Sequence, residues 1–250
     1  MKISVVVPCF PPHIKYIDEC IISLKKQTYK PDEVIIALSQ TTKDEANFLL
    51  TKINDQTLNI IILPTEEKQY AGQNRNRGAL MASNEIVSFI DVDDESHPQK
   101  LEIIKYVFET HNPKMFIHSY NWKSSKFEVY DMTNISIIKS NDIFVTTFGD
   151  PPNRNKKLEY TKCGQGKDQL KIPGYTEIHH GHVSIAKNII YDLKYENIIS
   201  GQDSVFCRDV LWKYNETLFS PLKLVNFKFD AKNCKNKCKW YDLDYDSTYG

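Results

Sequence analysis

Phe89-Ile90-Asp91-Val92-Asp93-Asp94 ends an apolar run that begins at Ile86 and closes it with three carboxylates. A short apolar segment bounded by a sharp polar change reads as a strand buried on both faces. Working outward, Ile3 to Val7 is another such segment, closed by Pro8, and Val34–Leu38 and Asn59–Leu63 are two more. Between these strands the period changes. Ile14, Ile17, Ile21 and Leu24 recur at helical spacing towards an end near Gln27, and Ala46, Leu49, Leu50 and Ile53 mark a second helix. A third helix is expected over Gly72–Ala82. Strand alternating with helix implies an α/β fold, a mostly parallel sheet flanked by helices in the Rossmann-like manner. Ligands of such sheets bind at the carboxyl ends of the strands, where Asp91–Asp94 fall.

Beyond Pro98 a helix carries Leu101, Ile104 and Phe108, and short strands are expected from Met115 to about Ile138, a half suited to holding an acceptor. Gly149–Gly174, poor in apolar residues, reads as a long surface loop, either a lid or an insertion. The tail from Asn226 is lysine-rich, then aromatic and acidic. Lysine plus arginine equal aspartate plus glutamate at 32 each, which argues against a nucleic-acid partner. The 6 cysteines show one close pair, Cys234 and Cys238, so they predict free thiols in a reducing compartment rather than a zinc site. No apolar stretch approaches the ~20 residues of a transmembrane helix. The expectation is a soluble, cytoplasmic protein.

Clustered carboxylates at a strand end repel one another unless a cation or hydrogen bonds offset them. Mg²⁺ or Mn²⁺ takes oxygen ligands, typically one or two carboxylates together with substrate phosphates. One reading is therefore a divalent ion clamped between carboxylate and pyrophosphate. The other is a solvated acidic turn capping the helix after Pro98. Asn74, Arg75 and Asn76, in the run Gly72–Gly78, offer hydrogen bonds to a nucleotide, and the glycines allow close backbone approach. By themselves they also read as an ordinary polar helix start.

The segments VVVPCF, Ser23-Leu24 with Gln27-Thr28, NRNRG and FIDVDD together resemble the inverting glycosyltransferases of family two, in the same order over residues 3–98. Gly201-Gln202-Asp203-Ser204 with Arg208 is similar to that family's E-D motif and trailing arginine, and Gly181–Ile185 to the stretch before it. The resemblance implies a GT-A fold: one catalytic domain over residues 1–225, with a nucleotide-sugar-binding half (1–98), an acceptor-binding half (99–225) and a tail (226–250). It implies transfer from a nucleotide-diphosphate sugar, UDP-sugar first, to a glycan, lipid-linked or protein acceptor, assisted by Mn²⁺ or Mg²⁺. Asp93 becomes the metal ligand, Asp91 faces the ribose, and Asp94 supports the site on the sugar side. Pro8, Cys9, Phe10 and Val92 line the nucleotide pocket with Asn74, Arg75 and Asn76. Asp203 becomes the general base, with His182, Gln202 and Arg208 beside the sugar or acceptor.

This chain departs from the family pattern in three places. Ala37–Thr41 lacks the acidic turn that commonly reads the base, leaving Ser39 or Gln40 for that task. Gln202 replaces a glutamate beside Asp203. No histidine follows His182, so Asp230 or water stands in as second metal ligand, and the cluster His179, His180, His182 is not expected to form a metal site of its own. Apart from catalysis, Asp203 also reads as the N-cap of a helix over Ser204–Leu211. Two other functions share the pattern in part: a nucleotide-sugar-binding module without turnover, and a sugar nucleotidyltransferase. The second lacks its glycine-rich loop, because Pro8–Pro12 occupies that place.

Overall fold

A computed structural model of the chain describes residues 1–53, 56–122, 125–139, 144–147, 168–171, 180–199 and 201–228. The expected alternation is present. β1 (Ile3–Cys9) leads through a 3-10 turn (Pro11–Tyr16) into α1 (Ile17–Lys25), followed by β2 (Glu33–Ser39), α2 (Lys43–Ile53), β3 (Ile60–Thr65), α3 (Ala71–Met81) and β4 (Ile86–Phe89). Two prolines at the start of the first helical segment set a tight turn there, so the regular helix starts at Ile17.

After the acidic turn come β5 (Glu95–Ser96), α4 (Lys100–His111) and β6 (Met115–Trp122). The expected series of short strands up to Ile138 is instead one eight-residue strand, β6, and the two-residue β7 (Ile138–Lys139). β8 (Phe144–Thr147) and β9 (Asp168–Lys171) pair with each other, so part of the stretch read as a surface loop is a strand. The chain continues through β10 (Ser184–Ala186), α5 (Ile189–Asp192), α6 (Gln202–Tyr214) and β11 (Thr217–Phe227). His180–His182 form a 3-10 turn. His179, Asp230, Cys163, Cys234, Cys238, most of 149–174 and the tail after residue 228 lie outside the described residues.

The main sheet runs β3-β2-β1-β4-β10-β6-β11-β5, with β7 on β11. β1 to β4 are mutually parallel, as are β6 and β11. β10 lies antiparallel between the two parallel groups. It therefore leaves β4 and β6 pointing the same way, and all the parallel strands end at one edge. Alternate residues of β1 feed the two cores. Ile3, Val5 and Val7 pack with Leu24, Ile104 and Phe108 under α1 and α4, while Val6 packs with Ala79, Phe89, Phe206 and Val210 under α3 and α6. Two covered faces explain why the strand sequences are apolar throughout.

The two glycines of α3 serve this packing. A Cβ at Gly78 would stand 2.4 Å from Val6 Cγ1 in β1. One at Gly72 would stand 2.7 Å from Gln202 Cγ in α6 and 3.0 Å from Tyr195 Cβ. They bring α3 close to protein rather than to a nucleotide, which corrects the expectation from sequence. Among the described residues no helix is long and apolar enough to cross a membrane.

Candidate active site

A cavity of about 560 Å³ opens at the carboxyl edge of the sheet. Its floor comes from the end of β1 and the turn that follows (Pro8, Cys9, Phe10, Pro12), and its far wall from Asp91, Val92 and Asp93 after β4. α3 contributes Ala71, Asn74 and Arg75, and the start of α6 contributes Gly201, Gln202 and Asp203. Segments far apart in sequence thus meet because each follows a strand or opens a helix at the same edge.

Arg75 is the centre of charge. Its guanidinium is 3% exposed and its Nη2 pairs with Asp91 Oδ1 at 2.5 Å. Its Cζ lies 5.5 Å from the centroid of the Tyr195 ring. Asp91 holds the charge in place against burial, which opposes it. Arg75 Nε and Nη1 and the buried Gln202 Oε1 have no hydrogen-bond partner among the described residues. Unsatisfied buried donors cost free energy, so two donors and an acceptor at one cavity wall fit a polar ligand.

Asp94 is 3% exposed and does not line the cavity, which excludes a solvated acidic turn at that residue. Its Oδ1 accepts the Lys228 backbone N–H at 3.0 Å and its Oδ2 stands 3.0 Å from His182 Nε2. The Asp91 backbone N is also 3.0 Å from His182 Nε2. That nitrogen either donates to Asp94 or accepts from Asp91, according to which ring nitrogen carries the proton. On the other side of the ring, Lys100 Nζ lies 2.9 Å from Nδ1. Lys100 is fully buried. Burial pulls its ammonium down to about 7, opposed by Asp94 and Asp91.

Ligand atoms of Asp91, Asp94 and His182 lie within 4.8 Å of one another, a candidate metal-binding cluster. Two carboxylates and an imidazole suit Mn²⁺, while Asp93, the metal ligand expected from sequence, lines the cavity and is not part of that cluster. The donor chemistry therefore fits a divalent ion. Among the described residues, the three-histidine cluster contributes His182 to it.

Several expected site residues stand behind the cavity wall. Ser39 is fully buried, and its Oγ accepts from Asn74 Nδ2 at 3.2 Å, while its neighbour Gln40, at φ 54°, lines the cavity. Asn74 Nδ2 also reaches Cys9 O at 3.1 Å, tying α3 to β1. Asn76 clamps the backbone of Tyr195, with Nδ2 donating to its carbonyl at 2.8 Å and Oδ1 accepting its N–H at 2.9 Å. Arg208 pairs with Asp209 at 2.5 Å and lies over the Trp212 ring. Asp203 is in the first turn of α6, capped by Gly201 at φ 81°, so it is not the N-cap. Its Oδ1 accepts the Ser204 N–H at 2.9 Å. The wall also contains His13, Lys15, Gln69, Tyr70 and Ile199, none of them singled out from the sequence. Tyr70 directly precedes α3, and that position was the available signal.

The profile of glycosyl transferase family 2 matches residues 4–175. An uncharacterised glycosyltransferase of Nostoc sp. is 32% identical over 110 residues, covering 44% of this chain and 34% of that protein. The chain spans between 30% and 42% of the length of the curated relatives it matches. Among solved structures, S. aureus TarS 1–349 in complex with UDP-GlcNAc superposes with a TM-score of 0.60 at 19% identity, over 100% of this chain and 62% of that one. Mannosyltransferase PcManGT from Pyrobaculum calidifontis, in complex with GDP-Man and Mn²⁺, gives 0.61 at 13% identity, over 98% and 62%. These likenesses show the GT-A fold.

Proposed function

The chain belongs to glycosyl transferase family 2, and on that premise we propose that it moves a sugar from a nucleotide-diphosphate sugar, UDP-sugar first, to an acceptor hydroxyl with inversion. One observation carries the reading: a single cavity joins the strand-end nucleotide wall, the acidic turn and Asp203. The nucleotide lies along Pro8–Phe10, with Gln40 at the base end. Its amide offers one donor and one acceptor, a match for the N3–H and O4 of uracil. Arg75 presents Nε and Nη1 to phosphate or sugar oxygens. Asp203 Oδ1 is held by Ser204 N–H, and its second oxygen takes the proton of the attacking hydroxyl, a step typically worth ~10²–10⁴-fold in rate. Asp93, with Asp91, would hold Mn²⁺ or Mg²⁺, which when bound offsets the charge developing on the departing diphosphate. Asp94 and His182, whose ligand atoms cluster with those of Asp91, would complete the metal's donor set, and Lys100 steadies His182 from below.

Thermal unfolding with UDP, GDP, CDP and dTDP, each with and without Mn²⁺, tests this. A nucleotide at a hundred times its dissociation constant adds about 2.7 kcal/mol, a rise of roughly 5–11 °C for a chain of this length. The expected result is a Mn²⁺-dependent rise with UDP that Asp93→Ala abolishes. If none of the four nucleotides moves the melt, the donor-site assignment is wrong.

A further inference from the structure

Where α3 meets the start of α6, the cavity wall holds polar groups that the protein itself leaves unsatisfied. Arg75 is 3% and Gln202 6% exposed, and both line the cavity. Among the described residues, Arg75 Nε and Nη1 and Gln202 Oε1 are closed to solvent and have no hydrogen-bond partner. Such groups are costly, and native structures keep few of them without a reason. The two side chains share one neighbourhood. A Cβ at Gly72 would stand 2.7 Å from Gln202 Cγ and 3.0 Å from Tyr195 Cβ. Arg75, three residues further along the same face of α3, has its Cζ 5.5 Å from the centroid of the Tyr195 ring. Tyr195 thus adjoins both.

The chemistry of this wall decides what it can take. A guanidinium only donates, and an amide oxygen only accepts. The ligand must therefore bring an acceptor for Arg75 and a donor for Gln202. A carboxylate or a phosphate brings acceptors alone, and it would meet Gln202 Oε1 lone pair to lone pair in a cavity already lined by Asp91 and Asp203. Glutamine rather than glutamate matters here. A charged side chain at 202 would draw the guanidinium to itself, whereas the neutral Gln202 leaves Arg75 to Asp91 and to a ligand. Ile199, three residues before Gln202, adds an apolar surface to the same cavity. Two sugar hydroxyls could satisfy Arg75 and Gln202, but they would set polar atoms against Ile199. A secondary acetamide carries a carbonyl oxygen, an N–H and a methyl group, one for each of the three.

We propose that this wall takes the acetamido group of the donor sugar, that the sugar transferred is an N-acetylhexosamine, and that Gln202 selects it. The acetamide N–H donates to Gln202 Oε1, its oxygen accepts from Arg75, and its methyl rests on Ile199. Because the protein atoms are closed to solvent, the Gln202 side chain changes rotamer as the sugar enters. A site that hydrogen-bonds a polar group of its substrate rejects the analogue that lacks it, since its own buried groups are then left unpaired. This rests on the transferase reading above and adds the class of donor sugar to it.

The test uses the full chain with Mn²⁺ and no acceptor. UDP, UDP-GlcNAc, UDP-GalNAc, UDP-Glc and UDP-Gal are titrated calorimetrically into wild type, Gln202→Leu, which keeps the bulk and removes the acceptor oxygen, and Gln202→Ala. One of the two acetamido donors should bind wild type at least about tenfold more tightly than its hydroxyl counterpart, the scale of one buried hydrogen bond to a charged group. In both variants that preference should fall to within about threefold. UDP, which lacks the sugar, should keep its wild-type affinity within about twofold, and this separates lost selection from lost folding. Wild type that binds UDP-Glc and UDP-Gal as tightly as the acetamido donors overturns the proposal. So does a preference that survives both substitutions. Failure of UDP itself to bind wild type sinks the donor-site reading, and this one with it.

Discussion

Adding one methyl group at Gly78 tests the link between the α3–β1 packing and the site. Its Cβ would meet Val6 Cγ1 at 2.4 Å and Cγ2 at 3.3 Å. Carbon atoms rest at about 3.5–4.0 Å, so α3 must move away from β1 by about 1 Å or Val6 must leave its rotamer. Overpacking of this kind costs about 1–3 kcal/mol, which lowers Tm by roughly 2–12 °C at this length. The same shift carries Asn74 and Arg75, so UDP-induced stabilisation should fall as well, because site groups have to be held within about 0.5 Å. Val6→Ala removes both offending carbons and leaves only the Val6 Cβ, at 3.4 Å. Combined with Gly78→Ala it should give a stability well above the sum of the single changes, with a coupling of about 1–2 kcal/mol. Urea unfolding of the four proteins closes the cycle. Additive losses, or a Gly78→Ala cost below about 0.5 kcal/mol, would refute the packing account of this glycine.

Other expectations concern charge and catalysis. Asp203→Asn should lower transfer by roughly 10²–10⁴-fold while keeping the UDP-induced rise in Tm; near-normal turnover would remove Asp203 from the base role. Arg75→Met strips Asp91 of its buried partner and should cost about 3 kcal/mol in urea unfolding, whereas a loss below about 1 kcal/mol would mean that water already screens the pair. Burial pushes the Cys20 thiol up to about 12 from 9.0, helped by Asp93 and Asp94. A raised folded value means stability that is present below pH 9 and lost as pH rises towards 12. The Cys20 contribution should therefore fall by about 1.4 kcal/mol per pH unit in that window. Cys20→Ala should flatten the measured slope by that amount, and an unchanged slope would show that the thiol is not buried from water.

Residues 3–111 were readable because their strands and helices differ in period and each is long enough to show it. The second half was not. β10 contributes only Ser184–Ala186, and its place between β4 and β6 depends on partners 96 and 68 residues away (Ser88 and Phe116 for Ser184), which no local pattern records. β11 shifts register between Ser220 and Lys223 and again before Asn226, which blurs its alternation. At the site, the residues that end a strand or start a helix (Pro8–Phe10, Asp91–Asp93, Asp203) converge as topology requires. Side-chain direction was the missing information. Ser39 and Gln40 are adjacent, yet one turns into the sheet and the other lines the cavity. Asn76, two residues on from Asn74 along α3, turns to Tyr195 rather than to the wall.

The antiparallel insertion of β10 also sets an order of events during synthesis. Ser88 of β4 and Ser184 of β10, whose hydroxyls meet at 3.0 Å, are 96 residues apart in the chain. At roughly 5–20 residues per second, a ribosome leaves the free side of β4 without its neighbour for about 5–20 s after β1 to β4 have emerged. An open strand edge is a template for pairing with other chains. The nascent first half therefore passes through a window in which its inner edge is open to chaperones or to aggregation, and three residues of late-made strand close it.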